Sequence, residues 1–284
     1  MKLVFLRYPE GRGKAVTFSY DDGCQADKRL VEIFTKHGVK ATFNLNSVAA
    51  REVNLTDEEL HELFLDNGHE IAVHGEFHRA NGNIRTIEGI KEVLSCRLEL
   101  ERRCGRIIRG MAYPNSGITR MGNLGTYEEI KNYLTELDIA YARTLGGDNN
   151  SFTLPSDFHA WMPSAHHSNP KTMELVDEFL SIDVETQHHN NKYPRLLYIW
   201  GHAYEFDNNN NWEMIEQICE RLTADKDIWF ATNIEIYDYV TAYKRLIYSA
   251  DGRKIYNPSV IKVWLDVDGM PYSVAPGETI TIEE

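Results

Sequence analysis

Short apolar runs alternate with amphipathic segments over most of this chain of 284 residues. Residues 14–20 (KAVTFSY) are typical of a buried strand, and residues 26–37 follow with apolar side chains at helical spacing and Gly38 at the helix end. Further strands are predicted at residues 41–45, 70–73, 107–112, 139–143, 158–162, 196–200 and 227–231. Repeated strand–helix units predict an α/β fold with parallel strands and outer helices, either a barrel or an open doubly wound sheet.

The pattern changes after residue 246. Residues 261–267 and 279–282 alternate apolar and polar side chains, and the pairs Asp268-Gly269 and Pro276-Gly277 are turn signals. We therefore predict a barrel-type domain over residues 1–246 and a β-rich tail over residues 247–284. A tail of about 40 residues is near the lower limit for folding alone, so we expect it to pack on the main domain.

Composition narrows the classes of partner. Asp and Glu number 43 against 30 Lys and Arg, which gives a formal net charge of −13 and repels polyanions. Nucleic acid and membranes are therefore not expected as partners, and the sequence does not indicate an oligomeric state. The chain shows no signal peptide, no run of about 18 apolar residues and no CxxC pair among its four cysteines. These features predict a cytoplasmic protein with reduced thiols.

Polar residues follow several predicted strands at the point where each strand ends. Asp21 and Asp22 come directly after the first strand of the alternating region, His74 follows the run 70–73, Tyr113 follows the run 107–112, and His202 follows the run 196–200. In a parallel barrel the carboxyl ends of the strands meet on one face, where active sites are built. The sequence therefore predicts an active site on that face.

His74 and His78 have a spacing that can direct two imidazoles at one metal ion. A zincin motif is excluded, because Gly75 stands where that motif has its glutamate. Two histidines four residues apart usually do not bind a metal. A carboxylate that converges on them from a second strand end makes a metal site the favoured interpretation. Adjacent residues of an extended segment point to different sides, so one of Asp21 and Asp22 can bind a metal while the other stays free as a base. Asp22 and the two histidines form a two-His-one-carboxylate set with open positions for water and substrate.

The segment 18–23 (FSYDDG) resembles the TFDDG motif of the polysaccharide deacetylases of carbohydrate esterase family 4, which share the NodB homology domain. His74 and His78 match the second motif of that family, with Gly75 in place of a hydroxyl residue. The resemblance implies a deformed (β/α) barrel related to the TIM barrel, with Asp21 as general base. It also implies one divalent ion on Asp22, His74 and His78, with zinc expected and cobalt, nickel or manganese as alternatives.

Residues 109–114 (RGMAYP) resemble the third motif of the family. The resemblance implies that Arg109 orients the base Asp21 and that the backbone N–H of Tyr113 helps to hold an oxyanion. The alternative for Arg109 is a pairing with an unrelated carboxylate of the core.

The last two motifs match less completely. The fourth normally ends in Asp-Trp, but here Trp161 follows Ala160, so the Asp that tunes the catalytic histidine is absent from its place. In the fifth, His202 matches the histidine that protonates the leaving group, and Trp200 stands where a leucine is usual. The run 200–206 (WGHAYEF) resembles a gellan-lyase-like branch of the family. Trp161 and Trp200 either form the acyl pocket, stack on a sugar ring, or pack in the core.

These features favour a metal-dependent hydrolase that removes N- or O-linked acetyl groups from a carbohydrate. Ala160 and Trp200 motivate one alternative, a carbohydrate-binding protein on the same fold with weak or no turnover. A second alternative is an amidase acting on a small non-sugar C–N bond, although the intact ligand set argues against a metal-free version. His166 and His167 are interpreted as loop residues, either of which is a candidate for lining the cleft.

Overall fold

The computed structural model describes residues 2–48, 55–115, 124–144, 148–188 and 190–283. The strands of these segments are β1 (Val4–Arg7), β2 (Lys14–Asp22), β3 (Thr42–Leu45), β4 (Glu70–Val73), β5 (Gly110–Ala112), β6 (Tyr141–Arg143), β7 (Ala165–His166), β8 (Arg195–Gly201), β9 (Ile228–Phe230), β10 (Ile247–Tyr248), β11 (Lys254–Tyr256), β12 (Val263–Val267), β13 (Met270–Val274) and β14 (Thr279–Thr281). The helices are α1 (Asp27–His37), α2 (Asp57–Glu59), α3 (Thr86–Cys104), α4 (Tyr127–Glu136), α5 (Thr172–Ser181), α6 (Tyr204–Asn209), α7 (Trp212–Ala224) and α8 (Asn233–Lys244).

One curved sheet of eight strands carries the main domain. Its order is β6-β5-β4-β3-β2-β8-β7, with β9 added beside β2, and every pairing in it is parallel. Strand β2 is central: it pairs with β8 along residues 14–20, with β3 along residues 19–22 and with β9 along residues 14–16. Helices cover this sheet, α1 packing on α7 and α3 on α4. The structure confirms the predicted deformed (β/α) barrel.

Local sequence accounts for the barrel elements. Eight of the nine residues of β2 are buried, as expected for the central strand of a parallel sheet. Helix α1 buries Leu30, Ile33 and Phe34 and ends at Gly38, whose φ of 67° lies in the left-handed region as the sequence predicts. Aromatic contacts tie the layers together, with the Phe18 and Phe34 ring centroids 5.0 Å apart.

The residues beyond 246 form short antiparallel strands. β10, β11 and β14 make one small sheet, and β12 and β13 make another that also contains β1 from the start of the chain. Buried side chains such as Val263 and Leu265 join Tyr239 and Val240 of α8 in a second apolar cluster. The tail therefore packs against the barrel, while the division of the chain at residue 246 stays a prediction.

Two local predictions need correction. Residues 158–162 are not a strand: Asp157 accepts a hydrogen bond from the His159 backbone N–H and starts a 3-10 turn, leaving Trp161 in an isolated bridge to Arg143. Strands β1 and β7 were not predicted, and β7 is only 2 residues long. None of the described helices is long and apolar enough to cross a membrane.

His69 gives the fold an acid-sensitive position. Its Nδ1 accepts the Ala41 backbone N–H at 3.0 Å, and burial, with a smaller contribution from Lys40, lowers its pKa to about 4. A histidine with a lowered folded pKa stabilises the fold fully above its unfolded pKa, and this contribution is lost as the pH falls toward 4. We expect His69→Asn to remove about 2 kcal/mol of the stability difference between pH 7 and pH 5, measured by urea unfolding. Parallel losses in variant and wild type would contradict the assignment.

Candidate metal centre and active site

The carboxyl ends of β2 and β4 bring four predicted site residues together. Asp21 and Asp22 end β2, and His74 follows β4 directly. Asp22 Oδ1 lies 3.5 Å from His74 Nε2 and 3.4 Å from His78 Nε2. Asp22, His74 and His78 are one of the two groups of described residues whose ligand atoms lie close enough to hold a metal ion. Separations of this size are those of neighbouring ligands around one zinc ion, whose bonds are about 2.0–2.2 Å long.

The hydrogen bonds of His74 fit it for a metal ligand. Its Nδ1 lies 2.9 Å from the carbonyl oxygen of Ala112, a partner that requires the proton on Nδ1. The lone pair is thereby left on Nε2, which is buried and has no hydrogen-bond partner among the described residues. Histidine ligands are commonly fixed in this way, by a carbonyl or carboxylate on the nitrogen remote from the metal. The donor set therefore suits a divalent ion.

Glu92 of α3 holds the loop that carries His78. Its buried side chain accepts the backbone N–H groups of Phe77 and Arg79 at 2.7 and 2.9 Å. Gly75 makes room for it: the φ of Gly75 is 85°, and a Cβ there would lie 2.9 Å from Glu92 Oε1. Glu92 thus supplies the loop-fixing hydrogen bonds that the glycine at the usual hydroxyl position cannot make.

Asp21 is completely buried and held from two sides. Asn44, its partner on β3, donates to Oδ1 at 2.9 Å, and Arg143 at the end of β6 donates to Oδ2. Burial raises the pKa of Asp21, but the charges of Arg143, His74 and His202 and the Arg143 hydrogen bond together lower it below its usual value. Asp21 is therefore ionised at neutral pH and can accept a proton.

Arg109 does not reach Asp21, which corrects the expectation for this residue. It lies just before β5, at the opposite end of the sheet, and makes two hydrogen bonds of 3.0 and 2.9 Å to Asp238 of α8. Arg109 therefore has the alternative role stated above, a pairing with an unrelated carboxylate. Arg143 stands in the expected position instead, and the only sequence signal for it is an arginine at the end of the predicted strand 139–143.

Two further expectations also need correction. The Tyr113 backbone N–H donates to the Arg143 carbonyl oxygen at 2.9 Å, so it is committed to the sheet rather than open to an oxyanion. Trp161 is only 1% exposed and packs edge-on against Phe158 and Tyr198, at centroid distances of 5.0 Å each. Trp161 is therefore a core residue and cannot stack on a sugar.

Trp200 and His202 border the site on its other side. The Trp200 ring covers the Arg143 guanidinium at 4.5 Å, and His202 Nε2 lies 4.0 Å from Asp22 Oδ2. Burial lowers the pKa of His202, but contact with Glu205 and the charges of Asp21 and Asp22 raise it above its ordinary value. His202 thus faces the same space as Asp22 and retains a proton more readily than a free histidine.

A second cluster, not predicted from the sequence, lies behind His202. Glu205 Oε2 is within 3.4 Å of nitrogens of His166, His167 and His202. Burial raises the pKa of Glu205, but the three histidines lower it strongly, so the carboxylate is charged. His166 lies on β7 and His167 follows it directly in the chain, which places both of these presumed loop residues beside the cleft.

The curved parallel sheet has the NodB-like fold, and it carries the Asp-Asp-His-His arrangement at its carboxyl ends. The family model described as polysaccharide deacetylase matches residues 8–141, a span that includes Asp21, Asp22, His74 and His78. Residues 8–141 of the chain thus match the polysaccharide deacetylase family, and this match supports a hydrolytic deacetylase activity. The gellan-lyase-like branch stays a prediction. No curated protein sequence matches the chain.

Solved structures share the fold at low sequence identity. A family 4 acetyl xylan esterase from Clostridium thermocellum, in complex with a cobalt ion, is 17% identical with a TM-score of 0.50, covering 78% of this chain and 90% of its own. A probable polysaccharide deacetylase from Pseudomonas aeruginosa is 14% identical with a TM-score of 0.56, covering 79% and 89%. Puue allantoinase is 11% identical with a TM-score of 0.58, covering 81% and 91%. These similarities show a common fold.

The two arginines provide a matched test of the site geometry. Arg143→Met leaves the buried Asp21 charge unpaired and should cost about 3–5 kcal/mol of unfolding free energy. Arg109→Met breaks a partly exposed pair and should cost about 0–1 kcal/mol. Urea unfolding of the metal-free protein measures both.

A double variant separates charge from packing. Asp21→Asn combined with Arg143→Met removes both charges, so it should be more stable than Arg143→Met alone. Equal losses for the two arginine variants, or no recovery in the double variant, would show that Arg143 does not balance Asp21.

Proposed function

We propose that the protein is a metal-dependent hydrolase that removes N- or O-linked acetyl groups from a carbohydrate. The observation that carries the proposal is the convergence of Asp22, His74 and His78 beside the buried, ionised Asp21. Asp22, His74 and His78 would hold one divalent ion, with zinc expected and cobalt, nickel or manganese as alternatives. When bound, such an ion lowers the pKa of a water molecule and polarises a carbonyl oxygen.

Asp21 is the proposed general base. Its Oδ2 lies 3.8 Å from His74 Nε2, so it borders the metal ligands without belonging to the group that would hold the ion. Asn44 and Arg143 fix the direction of its carboxylate, and ionisation leaves it able to accept the proton of the attacking water. Arg143 is a positioning residue, because it acts through Asp21.

His202 is the proposed general acid. Its Nε2 faces Oδ2 of Asp22, whereas His74 faces Oδ1, and its raised pKa favours the protonated form that can donate to a departing amine or alkoxide. Trp200 beside it forms a wall of the site. Because the protein carries a net charge of −13, a neutral or cationic acetylated carbohydrate suits this cleft better than a polyanion.

Metal binding tests the ligand set first. Asp22→Asn and His78→Ala should each weaken zinc binding at least ~100-fold, because even the outer partners of metal ligands commonly contribute 10–100-fold. Asp21→Asn and the distant Asp238→Asn should retain one zinc per chain. Isothermal titration with zinc, followed by elemental analysis after dialysis, gives both affinity and stoichiometry. Unchanged affinity in the ligand variants would rule out this site.

Acetate release tests the reaction. The zinc-loaded protein should release acetate from acetylated chito-oligosaccharides or from acetylated xylan, and Asp21→Asn should lower kcat by about 10²–10⁴ with zinc still bound. Asp238→Asn serves as the control and should keep wild-type turnover. Sugar binding without acetate release would support a binding protein, and hydrolysis of a small cyclic amide alone would support an amidase.

A further inference from the structure

Three side chains outside the metal ligands converge behind His202. Glu205, at the start of α6, places its Oε2 3.4 Å from His202 Nδ1, 3.1 Å from His167 Nε2 and 3.3 Å from His166 Nε2. The same oxygen accepts the backbone N–H of His202 at 3.2 Å. One carboxylate therefore contacts both the backbone and the ring of the proposed acid.

The two ring nitrogens of His202 face different partners. Nδ1 faces Glu205, whereas Nε2 faces Asp22 Oδ2 at 4.0 Å and with it the metal site. A carboxylate that binds Nδ1–H fixes the ring orientation and makes Nε2 the nitrogen that exchanges a proton with the substrate. The contact of 3.4 Å is longer and less linear than an ideal hydrogen bond, as catalytic contacts commonly are before substrate binds.

Glu205 is itself held in place by His167. That histidine is 1% exposed, and its ring stacks on Phe206 at a centroid distance of 4.2 Å and lies 5.7 Å from the ring of Tyr20. Gly201 opens the space for the ring, because a Cβ there would lie 2.1 Å from His167 Nδ1. His167 Nε2 lies 3.1 Å from Glu205 Oε2 but outside the direction of a hydrogen bond, so the buried ring supports the carboxylate by packing against it.

No other described carboxylate is available to His202 Nδ1. Within ion-pair distance of the His202 ring the structure describes two carboxylates, those of Asp22 and Glu205, and Asp22 faces Nε2. Position 160, which precedes Trp161, is an alanine. Asp157 is engaged elsewhere, with Lys131 at 2.7 Å and Tyr127 at 2.6 Å.

We propose that Glu205 is the residue that positions His202, from three residues further along the same segment, with His167 as its support. The proposal rests on the proposed function, in which His202 protonates the leaving group. Glu205 acts through His202 and needs no contact with the substrate.

Two substrates separate positioning from structural damage. Glu205→Gln should lower kcat for an acetylated chito-oligosaccharide by about 10²–10³, because its amine must be protonated to leave. On 4-nitrophenyl acetate the loss should stay below about tenfold, since 4-nitrophenolate leaves without a proton. Glu213→Gln, an exposed glutamate on α7, is the matched control and should leave both rates unchanged. Equal losses on the two substrates, or no loss, would overturn the proposal.

A spectroscopic measurement keeps the test independent of turnover. In long-range ¹H–¹⁵N spectra of the zinc-loaded protein, the His202 ring should show a hydrogen-bonded Nδ1–H in wild type and in Glu213→Gln, and should lose it in Glu205→Gln. Absence of that signal in wild type overturns the proposal. If the signal is present but no substrate releases acetate, the proposed function fails while the His202–Glu205 contact stands.

Metal stoichiometry tests whether Glu205 is a metal ligand rather than a positioning residue. His166, His202 and Glu205 are also close enough together to hold an ion. Titration with zinc should give one equivalent in wild type and in Glu205→Gln. A second equivalent that disappears in Glu205→Gln would make Glu205 a metal ligand and overturn the positioning role.

Discussion

The hydrogen-bond ladder around β2 is the constraint on which the site depends. Pairing with β3 sets Asp21 opposite Asn44, and pairing with β8 sets Tyr20 opposite Gly201, just before His202. A shift of one residue in either ladder would turn these side chains to the other face of the sheet. The positions of the proposed base and of the His202 segment are therefore determined by backbone pairing in the buried centre of the barrel, and less by the loops above it.

Charge pairing divides the site into two parts. Asp21 is fully buried, and such a carboxylate is tolerated only with a partner, which Arg143 provides. Asp22 is 11% exposed and faces imidazoles rather than a guanidinium, so it is the carboxylate that remains for a cation. Behind His202, the negative charge of Glu205 is compensated by the three histidines around it. Adjacent aspartates in one motif thus have different environments, but not through the alternation expected of an extended strand: Asp22 has a φ of 79°, and both carboxylates lie close to His74 Nε2, at 3.8 and 3.5 Å.

Periodicity and strand ends predicted parallel strands with outer helices and the grouping of Asp22, His74 and His78, and the family resemblance selected the deformed barrel over an open sheet. The strands and the grouping depend on local patterns, because strand direction alone places these residues at one edge of the sheet. Arg109 could not be placed in the same way, since β5 begins at Gly110 and leaves the arginine at the opposite end. Sequence cannot show where such a short strand begins, and the structure assigns its expected contact to Arg143.

Contacts between residues that are distant in sequence could not be predicted either. Glu92 is 15 residues from Phe77, on a helix whose exposed and buried faces give no hint that a carboxylate turns inward. Glu205 is only three residues from His202, a spacing that can signal a contact, but the support from His167 depends on β7 pairing with β8. The sequence left three interpretations of Trp161 open, and its burial in the structure favours packing in the core.

The position of Trp200 over Arg143 links the shape of the cleft to the strength of the base. The indole shields the guanidinium from water, and this shielding strengthens the ion pair between Arg143 and Asp21. A smaller side chain at position 200 would widen the cleft and also admit water to that pair. A substitution of Trp200 that changes the acyl preference is therefore expected to change the pKa of Asp21 as well. The effects of substitutions at positions 200 and 143 are expected to be non-additive.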